Sequence, residues 1–216
     1  MKQKDVFLES EGNAWLARNA AVVQSRPLPQ SDPLLMEILE LSPAPGEGTK
    51  ILEIGCGDGT RLQWLKNERK YSCHGVEPSA LAVERACAGG IHAIQGTAEK
   101  LEFEDGTFDL VVFGFCLYLC DREDLFRIAC EADRVLKNPG WLLIHDFYSP
   151  FPLQREYHHR SGLFSHKMDY RLLFAWHPGY AILTHKVRHH ATSAYTDEPG
   201  QWVATSVLRK NLNREK

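Results

Sequence analysis

The sequence predicts an α/β fold in which helices flank a largely parallel β-sheet. Short apolar runs alternate with helical stretches between residues 50 and 147. Such alternation is typical of right-handed βαβ units, which bury a parallel sheet between helices. A chain of 216 residues suffices for one sizeable core and is short for two, so we expect a single domain over residues 1–216.

The first 45 residues are predicted to form a helical cap ahead of the sheet. Residues 5–24 have an amphipathic pattern, and the prolines of "SRPLPQSDP" interrupt it. A second helix is predicted over residues 34–41, because the turn-forming segment "SPAPGEG" follows it.

Five strands and three helices are predicted in the central region. The strands are "KILEI", "CHGVE", "IHAIQG", "FDLVVFG" and "GWLLIHDF", and the helices cover residues 60–69, 79–88 and 122–137. Near the end, "YAILTHKVRHH" and "QWVATSVLRK" are separated by the turn-rich "SAYTDEPG". These two runs predict an antiparallel pair at one edge of the sheet.

Composition indicates a soluble, cytoplasmic protein that is not inserted in a membrane. Hydrophobic residues make up 44% of the chain and charged residues 25%. No apolar run approaches the roughly 20 residues that a membrane-spanning helix needs, and the N-terminus lacks a signal-peptide pattern. The six cysteines contain no CxxC pair, which favours reduced thiols and no metal site.

The segment "ILEIGCGDG" at residues 51–59 predicts a ligand-binding turn after the first strand. Gly55, Gly57 and Gly59 allow a sharp turn and a close approach of the ligand to the backbone. The spacing differs from the dinucleotide fingerprint GxGxxG, which would need glycine at Thr60, and no P-loop lysine follows. The glycine turn alone therefore leaves the ligand open.

Two acidic residues narrow the choice of ligand. Glu53 precedes the turn, where a carboxylate would repel a pyrophosphate and attract an amino group. Glu77 ends the second strand, at the usual place for an acid that accepts hydrogen bonds from ribose hydroxyls. A ribose joined to a cationic amino-acid end describes S-adenosylmethionine.

Four segments resemble the successive motifs of the class I S-adenosylmethionine-dependent methyltransferases: "ILEIGCGDGT", "GVEPS", "QGTAEKLEFEDGTFDLVVF" and "EADRVLKNPGWLLI". The resemblance covers roughly residues 50–147. It implies a Rossmann-like three-layer αβα sandwich with a seven-stranded sheet of order 3-2-1-4-5-7-6 and an antiparallel last strand. It also implies that S-adenosylmethionine is the cofactor.

The resemblance further implies which residues bind the cofactor. The methionine end would be lined by Glu53 and the turn, the ribose would be held by Glu77, and the adenine would lie beside Ala98. Many relatives carry an acid at the position of Thr97, so this chain departs from the family where a carboxylate would contact the adenine amine. The complete expected set is Glu53, Gly55, Cys56, Gly57, Glu77, Pro78, Thr97, Ala98, Glu99, Gly114 and Phe115.

Catalytic candidates are sought beyond the carboxyl ends of the strands, where reactive groups gather in open parallel sheets. Asp146 and Tyr148 point to the same side of the fifth strand and are favoured as pocket residues, whereas His145 faces the other side. His145 is equally well explained as a histidine packed under a helix. His158 is a candidate general base, needed only if the acceptor must lose a proton.

Residues 147–179 exceed the length of a simple crossover and are predicted to form a substrate-facing insert. Residues 151–190 contain six basic and two acidic residues, a net charge of +4 in a protein of net charge -3. This excess predicts an anionic acceptor, with Tyr118, Arg155 and Arg160 as substrate-binding residues.

The leading hypothesis is methyl transfer to a small anionic metabolite at an oxygen or nitrogen. The segment "FLESEGNAWLARN" resembles the start of some bacterial methyltransferases of surface-sugar pathways, so a sugar or sugar-nucleotide compound is one option. An RNA methyltransferase is disfavoured by the slightly acidic chain and the lack of an RNA-binding appendage. A cofactor-binding protein without turnover is a third hypothesis, and the oligomeric state is left open.

Overall fold

A seven-stranded β-sheet forms the centre of the protein in the computed structural model, which describes residues 2–24 and 27–211. Its strands are β1 (Lys50–Ile54), β2 (Ser72–Glu77), β3 (His92–Gln95), β4 (Phe108–Gly114), β5 (Leu136–Phe147), β8 (Tyr180–His189) and β9 (Trp202–Lys210). A separate antiparallel ribbon consists of β6 (Leu153–Glu156) and β7 (Phe164–Lys167).

The order of the sheet is β3-β2-β1-β4-β5-β9-β8, with β1 to β5 parallel and β9 antiparallel to both of its neighbours. When the seven strands are counted along the chain, the order is 3-2-1-4-5-7-6. This arrangement confirms the predicted fold class, and the last strand is antiparallel as predicted.

Helices cover both faces of the sheet. They are α1 (Gln3–Val6), α2 (Gly12–Gln24), α3 (Pro33–Leu39), α4 (Thr60–Arg69), α5 (Ala80–Ala88), α6 (Leu125–Val135) and α7 (Leu172–Ala175). A π-helical segment, Phe7–Glu11, joins α1 to α2, and short 3₁₀ turns occur at Leu117–Leu119, Arg122–Asp124 and Pro199–Gln201.

Each face of the sheet has its own apolar core, because alternate side chains of a strand point to opposite sides. On one face, Leu52 and Phe113 pack with Ile128 of α6 and Phe174 of α7. On the other face, the core consists of Ile51, Leu110, Leu35 of α3, and Leu62 and Leu65 of α4. Strands apolar on both sides are typical of a parallel sheet buried between helices, as the sequence predicted.

The helix boundaries follow local signals. Asp32 caps α3 by accepting a hydrogen bond from the backbone N–H of Leu35 at 2.9 Å, with Pro33 at the first helical position. The helix predicted over residues 122–137 begins with a 3₁₀ turn and ends at Val135, because β5 already starts at Leu136. Residues 25 and 26, in the predicted proline-rich interruption, lie outside the described residues.

Hydrogen bonds and ring packing connect the N-terminal segment to the insert. The side chain of Gln3 exchanges two hydrogen bonds of 2.8 Å with the backbone of Phe164, the first residue of β7. Phe7 packs against Tyr157, with a ring-centroid distance of 6.2 Å. The ribbon was not predicted from the sequence, and it places the insert against the N-terminal helices.

We expect Leu65→Ala to destabilise the fold by about 2–5 kcal/mol, because Leu65 is fully buried between α4 and the sheet and its loss leaves a cavity. Chemical denaturation monitored by circular dichroism measures this change. Leu172→Ala in α7 is the control, since Leu172 is 60% exposed and should cost less than about 0.5 kcal/mol. Equal effects of the two substitutions would contradict the assignment of this core.

Candidate active site

A cleft of about 1220 Å³ opens beyond the carboxyl ends of β1, β2, β4 and β5, bounded by the N-terminal helices and the β6–β7 ribbon. In open parallel sheets this is where ligands bind. All eleven predicted cofactor-binding residues line it: Glu53, Gly55, Cys56, Gly57, Glu77, Pro78, Thr97, Ala98, Glu99, Gly114 and Phe115. The structure therefore brings residues from the ends of four different strands into one cavity.

The glycine turn provides a surface that a ligand can approach closely. Gly55 and Gly57 have φ values of 78° and 53°, in the left-handed region that favours glycine. A Cβ on Gly55 would lie 2.6 Å from Cβ of Cys116, so this position has no room for a side chain. A Cβ on Gly57 would meet nothing within 4 Å, which leaves open space above the turn.

Glu77 is held in place by the backbone at the end of β2. Its Oε2 accepts a hydrogen bond from the N–H of Gly57, and its Oε1 accepts one from the N–H of Ser79, each at 3.0 Å. Burial raises the pKa of Glu77, while these two N–H groups oppose the shift. The carboxylate is thus fixed against the turn and retains acceptor capacity for further hydrogen bonds.

Glu53, Arg61 and Asp32 form a buried ionic network beneath the turn. Arg61 donates from Nε to both oxygens of Asp32, at 3.1 and 3.0 Å, and from Nη1 to Oε1 of Glu53. Burial, aided by the neighbouring Asp32 and Glu77, raises the pKa of Glu53 to about 7 although Arg61 opposes it. Burial also disfavours the charged form of Asp32, but Arg61 outweighs it and lowers the pKa of that carboxyl.

The second oxygen of Glu53 makes this network incomplete. Glu53 is only 2% exposed, and its Oε2 has no hydrogen-bond partner among residues 2–24 and 27–211. An unsatisfied buried carboxylate oxygen costs free energy unless a ligand supplies a donor. The cationic amino group of S-adenosylmethionine is such a donor, so the residues present fit this cofactor.

The end of β4 adds a strained loop beside Glu53. A Cβ on Gly114 would collide with Oε1 of Glu53, so only glycine fits there. Phe115 has a φ of 64°, unusual for an aromatic residue, and its N–H donates to the carbonyl of His145 at 2.9 Å. The ring of Phe115 lies 5.3 Å from that of Tyr118 and 4.8 Å from that of Phe147, between centroids.

On the side where the adenine is expected, Thr97 and Glu99 are already engaged with protein groups. The hydroxyl of Thr97 donates to Oε1 of Glu99 at 2.8 Å, and the same oxygen lies 2.7 Å from Nζ of Lys4. Thr97, which stands where many relatives have an acid, therefore has its hydroxyl hydrogen-bonded to the side chain of Glu99. Ala98 is 5% exposed and lines the cavity.

Asp146 and Tyr148 do not line this cavity; they border a small separate hollow on the other side of β5. Asp146 is buried, and it accepts hydrogen bonds from the N–H groups of Leu117 at 2.7 Å, Tyr118 at 3.3 Å and Phe147 at 2.7 Å. Burial raises its pKa to about 7. Both residues therefore lie away from the pocket position that the sequence predicts, and the carboxylate of Asp146 holds the loop after β4.

His145 occupies the position that the sequence analysis assigned to its neighbour. It pairs with Gly114 in the register of β4 and β5 and lines the cavity, and its Nδ1 lies 2.8 Å from the hydroxyl of Thr205. Strand alternation places only one of His145 and Asp146 on the cofactor side, and the sequence offered that choice without settling it. The pairing of His145 with Gly114, which the sequence does not reveal, decides which of the two residues faces the cavity.

The predicted general base His158 and two of the three predicted substrate-binding residues lie at the cavity. Tyr118, Arg155 and His158 line the cavity, and the hydroxyl of Tyr118 accepts a hydrogen bond from Nε1 of Trp15 at 3.2 Å. Arg160 does not line it, because its guanidinium turns outward and donates to the hydroxyl of Ser10 at 2.7 Å.

Within residues 2–24 and 27–211, no helix has the length and apolar character needed to cross a membrane. The same residues contain no group of three or more His, Cys, Asp or Glu side chains arranged to hold a metal ion.

Comparisons with known proteins agree with this geometry. Residues 52–144 match the family described as "Methyltransferase domain". The Ubiquinone/menaquinone biosynthesis C-methyltransferase UbiE of Vibrio campbellii is 32% identical over 162 residues, 68% of this chain and 60% of the relative. The fatty-acid O-methyltransferase of Mycolicibacterium smegmatis is 31% identical over 130 residues, 56% of this chain and 47% of the relative.

Among solved structures, a 1,6-didemethyltoxoflavin-N1-methyltransferase of Burkholderia thailandensis has a TM-score of 0.69 at 13% identity, covering 96% of this chain and 88% of its own. A SAM-dependent methyltransferase of Methanosarcina mazei has a TM-score of 0.65 at 18% identity, covering 84% and 98%. The chain spans about half the length of the curated relatives it matches, 42% to 58% for the first three. Residues 52–144 are thus similar to a methyltransferase domain, and the fold is the Rossmann-like one of these S-adenosylmethionine-dependent methyltransferase structures.

Proposed function

We propose that the protein transfers a methyl group from S-adenosylmethionine to a small acceptor that carries an anionic group. The observation that carries the proposal is the unsatisfied Oε2 of Glu53, buried beside an open glycine turn and in the same cavity as Glu77. These groups match the amino end and the ribose of the cofactor. The bound cofactor supplies an electrophilic methyl group on sulfur.

The protein's own contribution is to position the acceptor and to keep water away from it. Phe115, Tyr118 and Phe147 form one aromatic wall, and the ring centroids of Tyr118 and Phe147 are 5.1 Å apart. This wall starts where β4 ends, next to Glu53. An acceptor that rests on it lies beside the methionine end of the cofactor site.

We assign proton removal to His145 when the acceptor atom is a hydroxyl or a protonated nitrogen. His145 is on the cavity side of β5, its ring lies 5.4 Å from that of Phe115, and Thr205 fixes its orientation. Asp146 does not line the cavity and is therefore not placed for this role. The relatives act on different acceptor atoms by their names, so an oxygen or nitrogen acceptor is our own proposal for this chain.

The same reasoning supports a small-molecule acceptor over RNA. Arg155, Lys167 and Arg188 line a cavity with an aromatic wall, whereas RNA binding relies on an extended basic surface. The cysteines are free, which supports a reducing, cytoplasmic location.

The direct test of the proposed function is mass spectrometry of cell extract incubated with the protein and methyl-labelled cofactor. A labelled small molecule supports the proposal, and label in RNA alone would refute it.

The protein should bind S-adenosylhomocysteine in a 1:1 complex and more tightly than NAD, because Glu53 favours an amino group and disfavours a pyrophosphate. Isothermal titration calorimetry measures both dissociation constants and the stoichiometry. Tighter binding of NAD would be inconsistent with this cofactor site.

Glu77→Ala should weaken S-adenosylhomocysteine binding by about 1.5–3 kcal/mol, the scale of hydrogen bonds to a charged group. The fold should persist, since Glu77 ends its strand. Glu102→Ala is the matched control, because Glu102 lies outside the cavity with a side chain that is 71% exposed. If calorimetry gives the same affinity for Glu77→Ala as for the wild type, Glu77 does not hold the ribose.

Cofactor affinity should fall as pH decreases from 8 to 6. The pKa of Glu53 is about 7 without ligand, and an amino group binds only the ionised carboxylate, so binding at low pH must first release a proton. Linkage then gives about tenfold weaker S-adenosylhomocysteine binding at pH 6 than at pH 8.

Glu53→Gln is the control for this pH effect, because it keeps the side-chain shape but does not titrate. Its affinity should be lower at pH 8 and nearly constant between pH 6 and 8. A wild-type affinity that does not change with pH would exclude Glu53 as the group that receives the amino end.

A further inference from the structure

Three cationic side chains line the part of the cavity formed by the ribbon and β8. They are Arg155 of β6, Lys167 of β7 and Arg188 of β8. No carboxylate within residues 2–24 and 27–211 forms an ion pair with any of them. We call these three residues the cationic subsite.

Lys167 is the most buried member of the cationic subsite. It is 9% exposed, and its Nζ donates to the carbonyl of Gly200 at 2.5 Å and lies 4.2 Å from the ring centroid of Phe147. Burial lowers its pKa, and the nearby charge of Arg155 lowers it further. A buried ammonium beside a second cation is unfavourable unless an anion joins them.

Arg155 approaches the same point from the neighbouring strand. Leu153 pairs with Lys167 and Arg155 with Ser165, so Arg155 and Lys167 are diagonal neighbours on one face of the ribbon. A Cβ on Gly200 would lie 3.9 Å from Nη2 of Arg155. The two head groups therefore meet at Gly200, just ahead of β9.

Arg188 reaches this region from β8. It pairs with Val203 of β9, and its guanidinium carbon lies 3.6 Å from the ring centroid of Tyr195. Its Nη1 is buried and has no hydrogen-bond partner among the described residues. This unsatisfied donor is a second, independent sign that the site receives an acceptor oxygen from outside the protein.

Nearby cations are paired, which sets the cationic subsite apart. Lys186, two residues before Arg188 on the same strand, lies 2.7 Å from Oε1 of Glu37. Arg171, on the segment after β7, lies 2.6 Å from Oδ2 of Asp169. A general excess of basic residues in this segment does not explain three unpaired cations in one cavity.

We propose that the cationic subsite binds a carboxylate or phosphate group of the methyl acceptor, and that the aromatic wall holds the body of the same molecule. This inference rests on the proposed function. Phe147 connects the two parts, because its ring contacts both Lys167 and Phe115. Arginine and lysine together provide directional hydrogen bonds and a point charge for an oxyanion.

The test uses calorimetry on the full chain saturated with S-adenosylhomocysteine, with benzoate, phenyl phosphate and benzamide as probes. Benzamide keeps the ring of benzoate and removes its charge. We expect saturable binding of benzoate or phenyl phosphate and at least tenfold weaker binding of benzamide; the tighter of the two anions identifies the acceptor's charged group.

Lys167→Met and Arg188→Met should each weaken binding of the preferred anion by about tenfold or more, while S-adenosylhomocysteine affinity stays unchanged as evidence of an intact fold. Lys100→Met is the matched control, since Lys100 lies outside the cavity with an 80% exposed side chain. If one of the two variants no longer binds S-adenosylhomocysteine, the anion affinity of the other variant is the test of the cationic subsite.

Equal binding of benzamide and the anions, no anion binding to the wild type, or anion binding unaffected by both substitutions would overturn the inference. Failure of the wild type to bind S-adenosylhomocysteine is a different result: it refutes the proposed function. Anion titrations of the unliganded wild type and variants then judge the cationic subsite by the same criteria.

Discussion

The contact of Arg61 with Glu53 and Asp32 is the interaction on which the geometry of the site depends. Glu53 belongs to β1, Arg61 to the first turn of α4, and Asp32 caps α3. Two buried carboxylates would repel each other without the guanidinium, and the guanidinium would be costly to bury without them. The network therefore fixes a strand and two helices around the glycine turn, and it leaves Oε2 of Glu53 without a hydrogen-bond partner among the described residues.

Local signals in the sequence sufficed to predict which residues at the ends of β1 and β2 lie together. The run ending at Ile54, the glycines after it and Glu77 lie on neighbouring parallel strands, whose carboxyl ends must meet at one edge of the sheet. Family resemblance added the residues after β3 and β4. The structure places every one of these residues in a single cavity, because strand order and register leave little freedom there.

The acceptor half could not be predicted in the same way, because it depends on tertiary contacts. The side of β5 that faces the cavity is decided by its pairing with β4, which favours His145 over Asp146. The β6–β7 ribbon has no strong sequence pattern, so only the structure shows that Arg155 lines the cavity and that Arg160 does not. Charge counting found the basic segment but not which of its members remain unpaired.

All predicted cofactor residues lie within the matched segment 52–144, whereas Trp15 and the three residues of the cationic subsite lie outside it. The two halves of the cavity thus lie largely on different stretches of the chain, and they meet at the aromatic wall. Sequence changes in the flanking stretches can alter the shape and charge of the acceptor half without touching Glu53, the glycine turn or Glu77. In this modular architecture, the residues that would select a ligand beyond the glycine turn can change while the sheet and the turn keep their structure.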